Sequence, residues 1–387
     1  MSKVRIQIVG DMWPADPSGA HSPAYFTDGL KGVLGADILA GNLECVLVPE
    51  GTAINAAQWP KALWAPEAAA DALKAAGFHI VWLANNHILD LGPQGILDTK
   101  RLVEQRGILT AGGGAEPAEA RKLRVIERKG VRVGFLAYAE NCPQLAGRRR
   151  PGPAYNLMPE MEADVTAARP QVDVLVVAVH ADLEFLDYPS RHRMAYSRRL
   201  AALGVDLLIE GHPHVPQGIE RQGRSLIAYG MGNCMFKLGD YMQGGSPWTA
   251  ESFVLEVTAS REGIGEHRII PFKIAEVGRP EPLAGADRDR FMDHFTAISA
   301  DLSDPVRMAG HDREMVRRYL DIYTNWMWGA YQKGGVDALL NDYLPRFFME
   351  EGAYWAQETA RMARENMPKW EELTSCAIVD SPFEEYP

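Results

Sequence analysis

The chain has few cysteines, no long apolar run and no excess of basic residues. Its four cysteines, Cys45, Cys142, Cys234 and Cys376, lie far apart in the 387 residues. Scattered thiols of this kind argue against a disulfide-stapled scaffold and against a thiolate metal site. No stretch approaches the length of a transmembrane helix. The first residues lack the charged region, apolar segment and cleavage site of a signal peptide, so we expect a cytoplasmic protein.

The charge balance argues against two classes of partner. The chain has 40 Lys and Arg residues against 51 Asp and Glu residues, a formal net charge of -11 at pH 7. We therefore expect neither a nucleic-acid backbone nor an anionic membrane as partner. The one basic run, at 148–150, precedes Pro-Gly-Pro and favours a solvated loop. Hydrophobic residues make up 47% of the chain, enough for one large domain with or without an appendage.

Residues 3 to about 275 alternate between apolar strand patterns and helical stretches, which predicts a layered α/β fold. In such a fold the functional site lies at the carboxyl ends of the strands. Predicted helices cover 65–76, 93–105 and 190–203. The predicted strands cover 4–9, 36–40, 79–84, 131–137, 172–179, 205–209, 225–229, 252–257 and 267–274. Short connections between the last four strands favour a mixed or antiparallel arrangement there.

The pattern changes after Arg279-Pro280-Glu281-Pro282, so we divide the chain into residues 1–279 and 280–387. The second part is predicted to be a helical extension packed on the first. Most of its large aromatics are expected in the core, although some of them could line an apolar substrate cleft. They are Phe291, Phe295, Tyr319, Tyr323, Trp326, Trp328, Tyr331, Phe347, Phe348, Tyr354 and Trp355.

Polar residues follow several predicted strands at the point where each strand ends. They stand in Gly10-Asp11, Asn42-Leu43-Glu44, Asn85-Asn86-His87, Val179-His180 and Gly-His212-Pro-His214. Carboxylate, amide and imidazole groups gathered at strand ends are the donors that a metal-centred site requires.

These segments resemble the CapA-like branch of the calcineurin-like metallophosphoesterase fold, named for a protein of poly-gamma-glutamate capsule synthesis. The resemblance covers about residues 4–260 and implies an α/β/β/α sandwich with a metal site at one edge. Here the sandwich is followed by the C-terminal helical extension. The matching segments are Val-Gly-Asp11, Gly-Asn-Leu-Glu44, Leu-Ala-Asn-Asn86-His87-Ile-Leu-Asp90-Leu-Gly, Thr110-Ala-Gly-Gly-Gly114, Val-His180 with Glu184, Gly-Val-Asp-Leu-Leu-Ile-Glu-Gly-His212-Pro-His214 and Ala-Tyr-Gly-Met-Gly-Asn233.

Three departures from the family pattern concern the number of metal ions. The family's Asp-x-His triplet is Asp11-Met12-Trp13 here, and Trp cannot bind a metal. Its His-Trp-Gly is His180-Ala181-Asp182. Its second Gly-Asp is Gly41-Asn42, with Glu44 two residues later. One metal position has therefore lost a ligand, and we expect one divalent ion rather than two.

The predicted ligands of this ion are Glu44, Asn86, His180, His212 and His214. A lone histidine is more often a satisfied core residue, but two in Gly-His-Pro-His after a buried strand favour ligation, as does His180 at its strand end. Asn86 could instead form a turn and Glu44 could begin a helix. Imidazoles favour Mn, Fe, Co or Zn, and the oxygen donors also suit Ca, so the metal stays open.

Two histidines are predicted to take part in acid/base chemistry. Asp90 follows His87 at a spacing that lets the carboxylate orient the ring, although a helix-capping role for Asp90 is the alternative. Asp11 is a metal ligand in the family, but without the histidine two residues on it could act as an acid or base. If the helix after residue 285 covers the metal edge, His294 could face Asp11 and form a second pair; otherwise His294 is a surface residue.

Three functions remain open from the sequence. A metallophosphoesterase or amide hydrolase follows from the fold, which is a weak argument for function. Metal-assisted proton transfer at a peptide Cα needs one ion and two acid/base groups. The family resemblance implies this second activity, since the CapA-like branch includes lasso-peptide epimerases acting on the C-terminal residue of a precursor peptide. A binding protein of polymer export is the third. We predict the epimerase, with a precursor peptide as partner and the hydrolase as the alternative; the oligomeric state stays open.

Overall fold

A computed structural model of the chain describes residues 2–16, 18–55, 62–140, 151–236, 246–275, 277–347, 357–358 and 361. Several sequence-based expectations lie outside these residues: the basic run at 148–150, Cys142 and Cys376, and the aromatics Phe348, Tyr354 and Trp355. The side chains of Tyr323, Trp326 and Phe347 also lie outside the described part.

The strands and helices alternate along the chain as the sequence predicts. The strands are β1 Val4–Met12, β2 Ile38–Leu43, β3 Val46–Val48, β4 Trp64–Pro66, β5 Ile80–Trp82, β6 Leu109–Ala111, β7 Gly113–Gly114, β8 Arg124–Arg128, β9 Val131–Ala139, β10 Gly152–Pro153, β11 Val174–His180, β12 Leu207–Gly211, β13 Ile219–Gln222, β14 Ser225–Ala228, β15 Glu251–Ser260, β16 Gly263–Ile274 and β17 Pro280–Pro282. The α-helices are α1 Pro23–Thr27, α2 Ala68–Ala75, α3 Pro93–Gln105, α4 Pro117–Ala120, α5 Met158–Ala168, α6 Arg191–Ala202, α7 Gly285–Asp301 and α8 Pro305–Phe347. Helix α8 is interrupted at Gly334 and Gly335, where the backbone is not helical.

Two large sheets form the centre of the molecule. The first has the order β17-β16-β15-β1-β2-β5-β6, and the second has the order β13-β14-β12-β11-β9-β8. Strands β1, β2, β5 and β6 are parallel, as are β9, β11, β12 and β14. The later strands β15 and β16 pair antiparallel, which confirms the mixed arrangement expected there. Parallel strands in each sheet bring their carboxyl ends to one edge.

Apolar side chains from both sheets pack against each other and form the central core. Ile6 and Ile8 of β1 share this core with Phe135 of β9 and Val176 of β11. The outer face of the first sheet packs on α2 and α3, and the outer face of the second packs on α5 and α6. The α/β/β/α sandwich expected from the sequence is confirmed.

The C-terminal helices follow the sandwich at the expected place. Strand β17 lies just past the predicted boundary at residue 279 and still belongs to the first sheet, because it pairs with β16. Helix α7 inserts Phe291 and Phe295 into the core between the sheets. The division into two domains stays a prediction.

The aromatic residues of α8 only partly fulfil the expected core role. Tyr319 is buried, where it packs with Met315, Val316 and Leu186. Trp328 is 60% exposed and Tyr331 is 46% exposed, so these two are not among the aromatics that lie in the core. They follow the segment of α8 that contacts the body, and their rings stack on each other at the surface.

No described helix combines the length and the apolar character needed to cross a membrane.

Candidate metal centre

The polar residues at the strand ends converge because neighbouring strands end in register. Asp11 of β1 lies opposite Asn42 of β2, and His180 of β11 lies opposite Gly211 of β12. An additional bridge joins Asp11 to Asn233. Since both sheets end at this edge, side chains from five separate segments come within contact distance.

Glu44 lies at the centre of this group and is fully buried. His180 Nε2 is 3.4 Å from Glu44 Oε1, and His214 Nε2 is 4.0 Å from the same oxygen. Neither carboxylate oxygen has a hydrogen-bond partner among the described residues. Burial raises the pKa of Glu44, but the charges of His180 and His214 outweigh it, so the pKa lies well below its ordinary value. Glu44 is therefore a buried carboxylate whose oxygens lie near two imidazoles but have no hydrogen-bond partner in the described structure.

The segment after β12 carries two histidines in an uncommon backbone conformation. His212 and His214 have φ angles of 95° and 58°. Residues other than glycine rarely adopt a positive φ, because it strains the backbone. Backbone strain of this kind concentrates at functional sites. Burial and the neighbouring histidines lower the pKa of His212, which keeps its imidazole neutral, and its Nδ1 has no hydrogen-bond partner in the described structure. A neutral imidazole is the form that binds a metal ion.

Asn233 fixes the orientation of the His214 ring. Its Oδ1 lies 2.8 Å from His214 Nδ1, while its Nδ2 donates to the backbone oxygens of His214 and Thr249. The amide oxygen therefore accepts the Nδ1 proton, which leaves His214 Nε2 as the atom that faces Glu44.

Asn42 organises the opposite side of the group. Its Nδ2 donates to Asp11 Oδ1 at 2.8 Å and lies 3.2 Å from His180 Nδ1. Asn85 in turn donates to Asn42 Oδ1 at 3.1 Å and to the backbone oxygen of Leu43 at 2.8 Å. A neutral amide thus stands where a third carboxylate would repel Asp11 and Glu44.

Asp11 is buried and engaged on both oxygens. Besides the bond from Asn42, Asp11 Oδ2 accepts a hydrogen bond of 3.1 Å from the His212 backbone N–H and lies 3.6 Å from His214 Nδ1. Burial and the charge of Glu44 raise the pKa of Asp11. This environment favours a role in the ligand group over a free acid/base role.

His87 and Asp90 form the pair that the sequence predicts. His87 Nδ1 lies 2.7 Å from Asp90 Oδ2, and this oxygen also accepts the Leu63 backbone N–H at 2.8 Å. Burial lowers the pKa of His87, but the hydrogen bond and charge of Asp90, together with Glu44 and Glu184, raise it to about 9. Because Nδ1 is held by Asp90, Nε2 is the ring atom left to exchange a proton with a substrate.

Asn86 stands beside this pair and next to His180. Its Oδ1 lies 2.8 Å from His180 Nε2, the same ring atom that faces Glu44. All five predicted ligands are therefore within one connected group. Their role as ligands stays a prediction.

The expected pair of Asp11 with His294 does not form in the described structure. The His294 ring stacks on Trp248 with centroids 3.6 Å apart and planes 6° apart. Its neighbouring charges are Asp187 and Arg290, and burial lowers its pKa. Helix α7 thus places His294 against the 3₁₀ turn Pro247–Ala250, where its ring packs on Trp248 rather than on Asp11.

The donor groups fit a divalent cation. Two sets of three donors lie within 4.8 Å of one another: Glu44 with His180 and His212, and Asp11 with Glu44 and His214. The Glu44 oxygens without hydrogen bonds and the neutral imidazole of His212 are donors that such an ion takes. Glu44 belongs to both sets, which assigns it the central place that the sequence left open.

Sequence reasoning missed the roles of three asparagines. Asn42, Asn85 and Asn233 orient the predicted ligands without being among them. Asn42 lies near the end of the buried strand β2, and Asn85 and Asn233 follow the buried strands β5 and β14; these positions were the available signal. An amide's role depends on which group it faces, and the sequence does not reveal that.

The chain is similar to proteins of capsule synthesis. The family model "Bacterial capsule synthesis protein PGA_cap" matches residues 5–238. Capsule biosynthesis protein CapA of Bacillus anthracis is 27% identical over 271 residues, 67% of this chain and 64% of that protein. PGA biosynthesis protein CapA of Bacillus subtilis is 26% identical over 217 residues, 54% of each chain. The match thus spans less than two thirds of the length of either relative.

Among solved structures, a putative 5'-nucleotidase from Staphylococcus aureus aligns with a TM-score of 0.46 and 11% identity, over 78% of this chain and 58% of that chain. The resemblance inferred from the sequence motifs is confirmed by the family model, which covers more than half of the 387 residues. The chain belongs to the bacterial capsule synthesis protein family PGA_cap.

Proposed function

We propose that this protein is a metal-dependent acid/base enzyme that epimerises the Cα of a peptide residue. The substrate is the C-terminal residue of a ribosomal precursor peptide, as in lasso-peptide biosynthesis. The observation that carries the proposal is the His87–Asp90 pair, bonded at 2.7 Å and adjoining the Glu44 donor group. Because Asp90 holds Nδ1, His87 can exchange a proton with a substrate at Nε2, while the adjoining donors would hold an ion.

The residues that would hold the ion are Glu44, Asn86, His180, His212 and His214, with Asp11 beside them. When bound, the cation polarises a carbonyl or carboxylate group and makes the adjacent Cα proton easier to remove. Asn233 and Asn42 keep the ligand side chains oriented. The exclusion of water from this buried group strengthens each of these electrostatic interactions.

The neutral form of His87, which is populated as the pH approaches its pKa of about 9, removes the Cα proton through Nε2 and becomes an imidazolium that Asp90 stabilises. Inversion then requires that a second group deliver a proton to the opposite face of Cα. His294 remains a candidate for that donor, because its Nε2 is buried and has no hydrogen-bond partner among the described residues. The His294 ring packs on Trp248 and does not pair with Asp11, so His294 would deliver this proton without help from the Asp11 carboxylate.

A hydrolase is the second candidate, and one observation favours it. The two donor sets, Glu44 with His180 and His212 and Asp11 with Glu44 and His214, would hold two ions rather than one. Pairs of bridged metal ions serve many phosphatases and other hydrolases. The missing ligand at Trp13 stands against this alternative, and the names of the CapA relatives would connect such a hydrolase with capsule or poly-gamma-glutamate metabolism.

Solvent deuterium incorporation separates the two functions. The protein is incubated in heavy water with Mn²⁺ or Ca²⁺ and with candidate precursor peptides, followed by mass spectrometry and chiral amino-acid analysis. The epimerase predicts a mass gain at an intact peptide together with a D-residue, and a chelator prevents both. Parallel assays use phosphoesters and amides. Cleavage of a phosphoester or an amide without exchange at Cα would contradict the epimerase function and support the hydrolase.

A further inference from the structure

Trp13 occupies the position where the family pattern has a metal-binding histidine, but its contacts give it another task. Its backbone N–H donates to the Met235 backbone oxygen, and its indole Nε1–H donates to the Trp64 backbone oxygen at 2.9 Å. The Trp64 oxygen belongs to the first residue of β4. The indole therefore ties the end of β1 to the start of β4.

The segment that Trp13 holds also holds the acid/base pair. Leu63, directly before Trp64, donates its backbone N–H to Asp90 Oδ2 at 2.8 Å. The same oxygen lies 2.7 Å from His87 Nδ1. Two hydrogen bonds and the backbone of two residues, Leu63 and Trp64, thus connect the Trp13 indole to the carboxylate that orients His87.

The Trp13 ring is linked to the predicted ligands through Phe236. It meets Phe236 edge to face with centroids 5.7 Å apart, and Phe236 lies 5.2 Å from the His214 ring. One side chain is therefore linked to the proton-transfer pair through Leu63 and Trp64, and to the predicted ligand group through Phe236.

We propose that Trp13 is a positioning residue: its indole N–H fixes the Leu63–Trp64 segment and thereby holds Asp90 against His87. This inference rests on the proposed function insofar as His87 is the base. Loss of the N–H lets the segment shift, and a small displacement of a base from its substrate proton reduces the rate of proton transfer. We expect substrate binding and the ion to be unaffected, because this hydrogen bond joins the indole to a backbone oxygen and touches no predicted ligand.

Trp13→Phe removes the N–H donor and keeps an aromatic ring beside Phe236. We expect kcat for Cα exchange to fall about tenfold with KM and metal content unchanged. A site-specific benzothienylalanine at position 13 has nearly the same shape as Trp and lacks only the N–H, so it repeats the test if Trp13→Phe folds poorly. Trp328→Phe, at a position 60% exposed on α8, is the matched control and leaves kcat unchanged.

A double-mutant cycle tests whether Trp13 acts through Asp90. In an Asp90→Asn background, Trp13→Phe is expected to change kcat less than about twofold, because the contact that it supports is already altered. The same loss of rate in both backgrounds would overturn the inference.

A spectroscopic readout keeps the inference separate from the proposed function. The His87 Nδ1–H proton, which is shared with Asp90, should give a far-downfield NMR signal that is absent from His87→Gln. Trp13→Phe and the isostere are expected to shift or broaden this signal, and Trp328→Phe is not. An unchanged signal would overturn the positioning role, whereas a changed signal in a protein without Cα exchange would overturn only the epimerase function.

Discussion

At the scale of single residues, the site separates donors that face a common centre from amides that orient them. Glu44 and His212 have buried donor atoms without hydrogen-bond partners in the described structure. Asn42 and Asn233 use their amides on Asp11, His180 and His214. This separation explains why a chain with Asn at position 42 can keep a complete donor group: Glu44 supplies the carboxylate.

His87→Gln should abolish catalysis without loss of the ion. Glutamine keeps a polar side chain but cannot act as the base, so we expect a loss of about 10²–10⁴-fold in the rate of Cα exchange. Metal content by elemental analysis is expected to match the wild type. His267→Gln, on the exposed part of β16, is the control. A variant that loses its metal would make His87 a ligand instead.

Asn233→Ala should weaken metal binding through His214. Without the Asn233 oxygen 2.8 Å from Nδ1, the ring loses its fixed tautomer and orientation, and we expect an affinity about 10–100-fold lower by calorimetry. Asn233→Asp keeps an oxygen that accepts the His214 Nδ1 proton, so its metal affinity should fall less than that of Asn233→Ala. Equal affinity in Asn233→Ala and the wild type would remove this role.

The sequence predicted which carboxylates and imidazoles lie together better than it predicted which residues orient them. Glu44, His180, His212 and His214 were expected together and lie together, because carboxylates and imidazoles at buried strand ends have few structural purposes. The Asp11–His294 pair was not found, since the placement of α7 depends on packing of Phe291 and Phe295 that no local motif encodes.

At the scale of elements, the long strands were predictable and the short ones were not. The apolar runs predicted at 4–9 and 172–179 correspond to β1 and β11, and the helix predicted at 93–105 is α3. Strands β3 and β4 have three residues each and gave no periodic signal. They pair with each other beside the site. The contact of Leu63, directly before β4, with Asp90 could therefore not be predicted from the hydrophobic pattern.

Gly211→Ala tests the close approach of β12 to β1. A Cβ at this position would stand 2.7 Å from Asp11 Oδ1 and 3.3 Å from His180 Nδ1, both inside the packed site. We expect a loss of about 1–3 kcal/mol in the free energy of unfolding and weaker metal binding. In Gly310→Ala the new Cβ meets nothing within 4 Å on α8. This control should gain stability by up to about 1 kcal/mol in denaturant unfolding. Matching effects of the two variants would contradict the close approach.

At the scale of the whole molecule, the C-terminal helices and the metal edge share a loop. Leu183 and Leu186, between β11 and α6, pack with Met315, Val316 and Tyr319 of α8. Phe185 of the same loop stacks near His214, with ring centroids 6.0 Å apart. The C-terminal extension is thus packed on the loop that borders the donor group. The sequence could not reveal this contact, because the aromatic pattern of the extension does not show which part of the body it packs against.

Removal of the metal should destabilise the folded protein as a whole. The ion binds donors that converge only in the folded state, so free metal at about 100 times its Kd adds about 2.7 kcal/mol to the free energy of unfolding. The melting temperature is expected to fall with chelator and to recover with added Mn²⁺. Glu44→Gln should respond much less, and an equal response of both proteins would contradict the central place of Glu44.

The most direct test of the account is the position of the ion itself. Anomalous diffraction from crystals grown with Mn²⁺ is predicted to give one peak bound by Glu44 and the neighbouring imidazoles, with His87 Nε2 outside the coordination sphere and still paired to Asp90. A peak coordinated by His87 would contradict its role as the base. A second peak beside Asp11 would contradict the single-ion centre and favour the hydrolase.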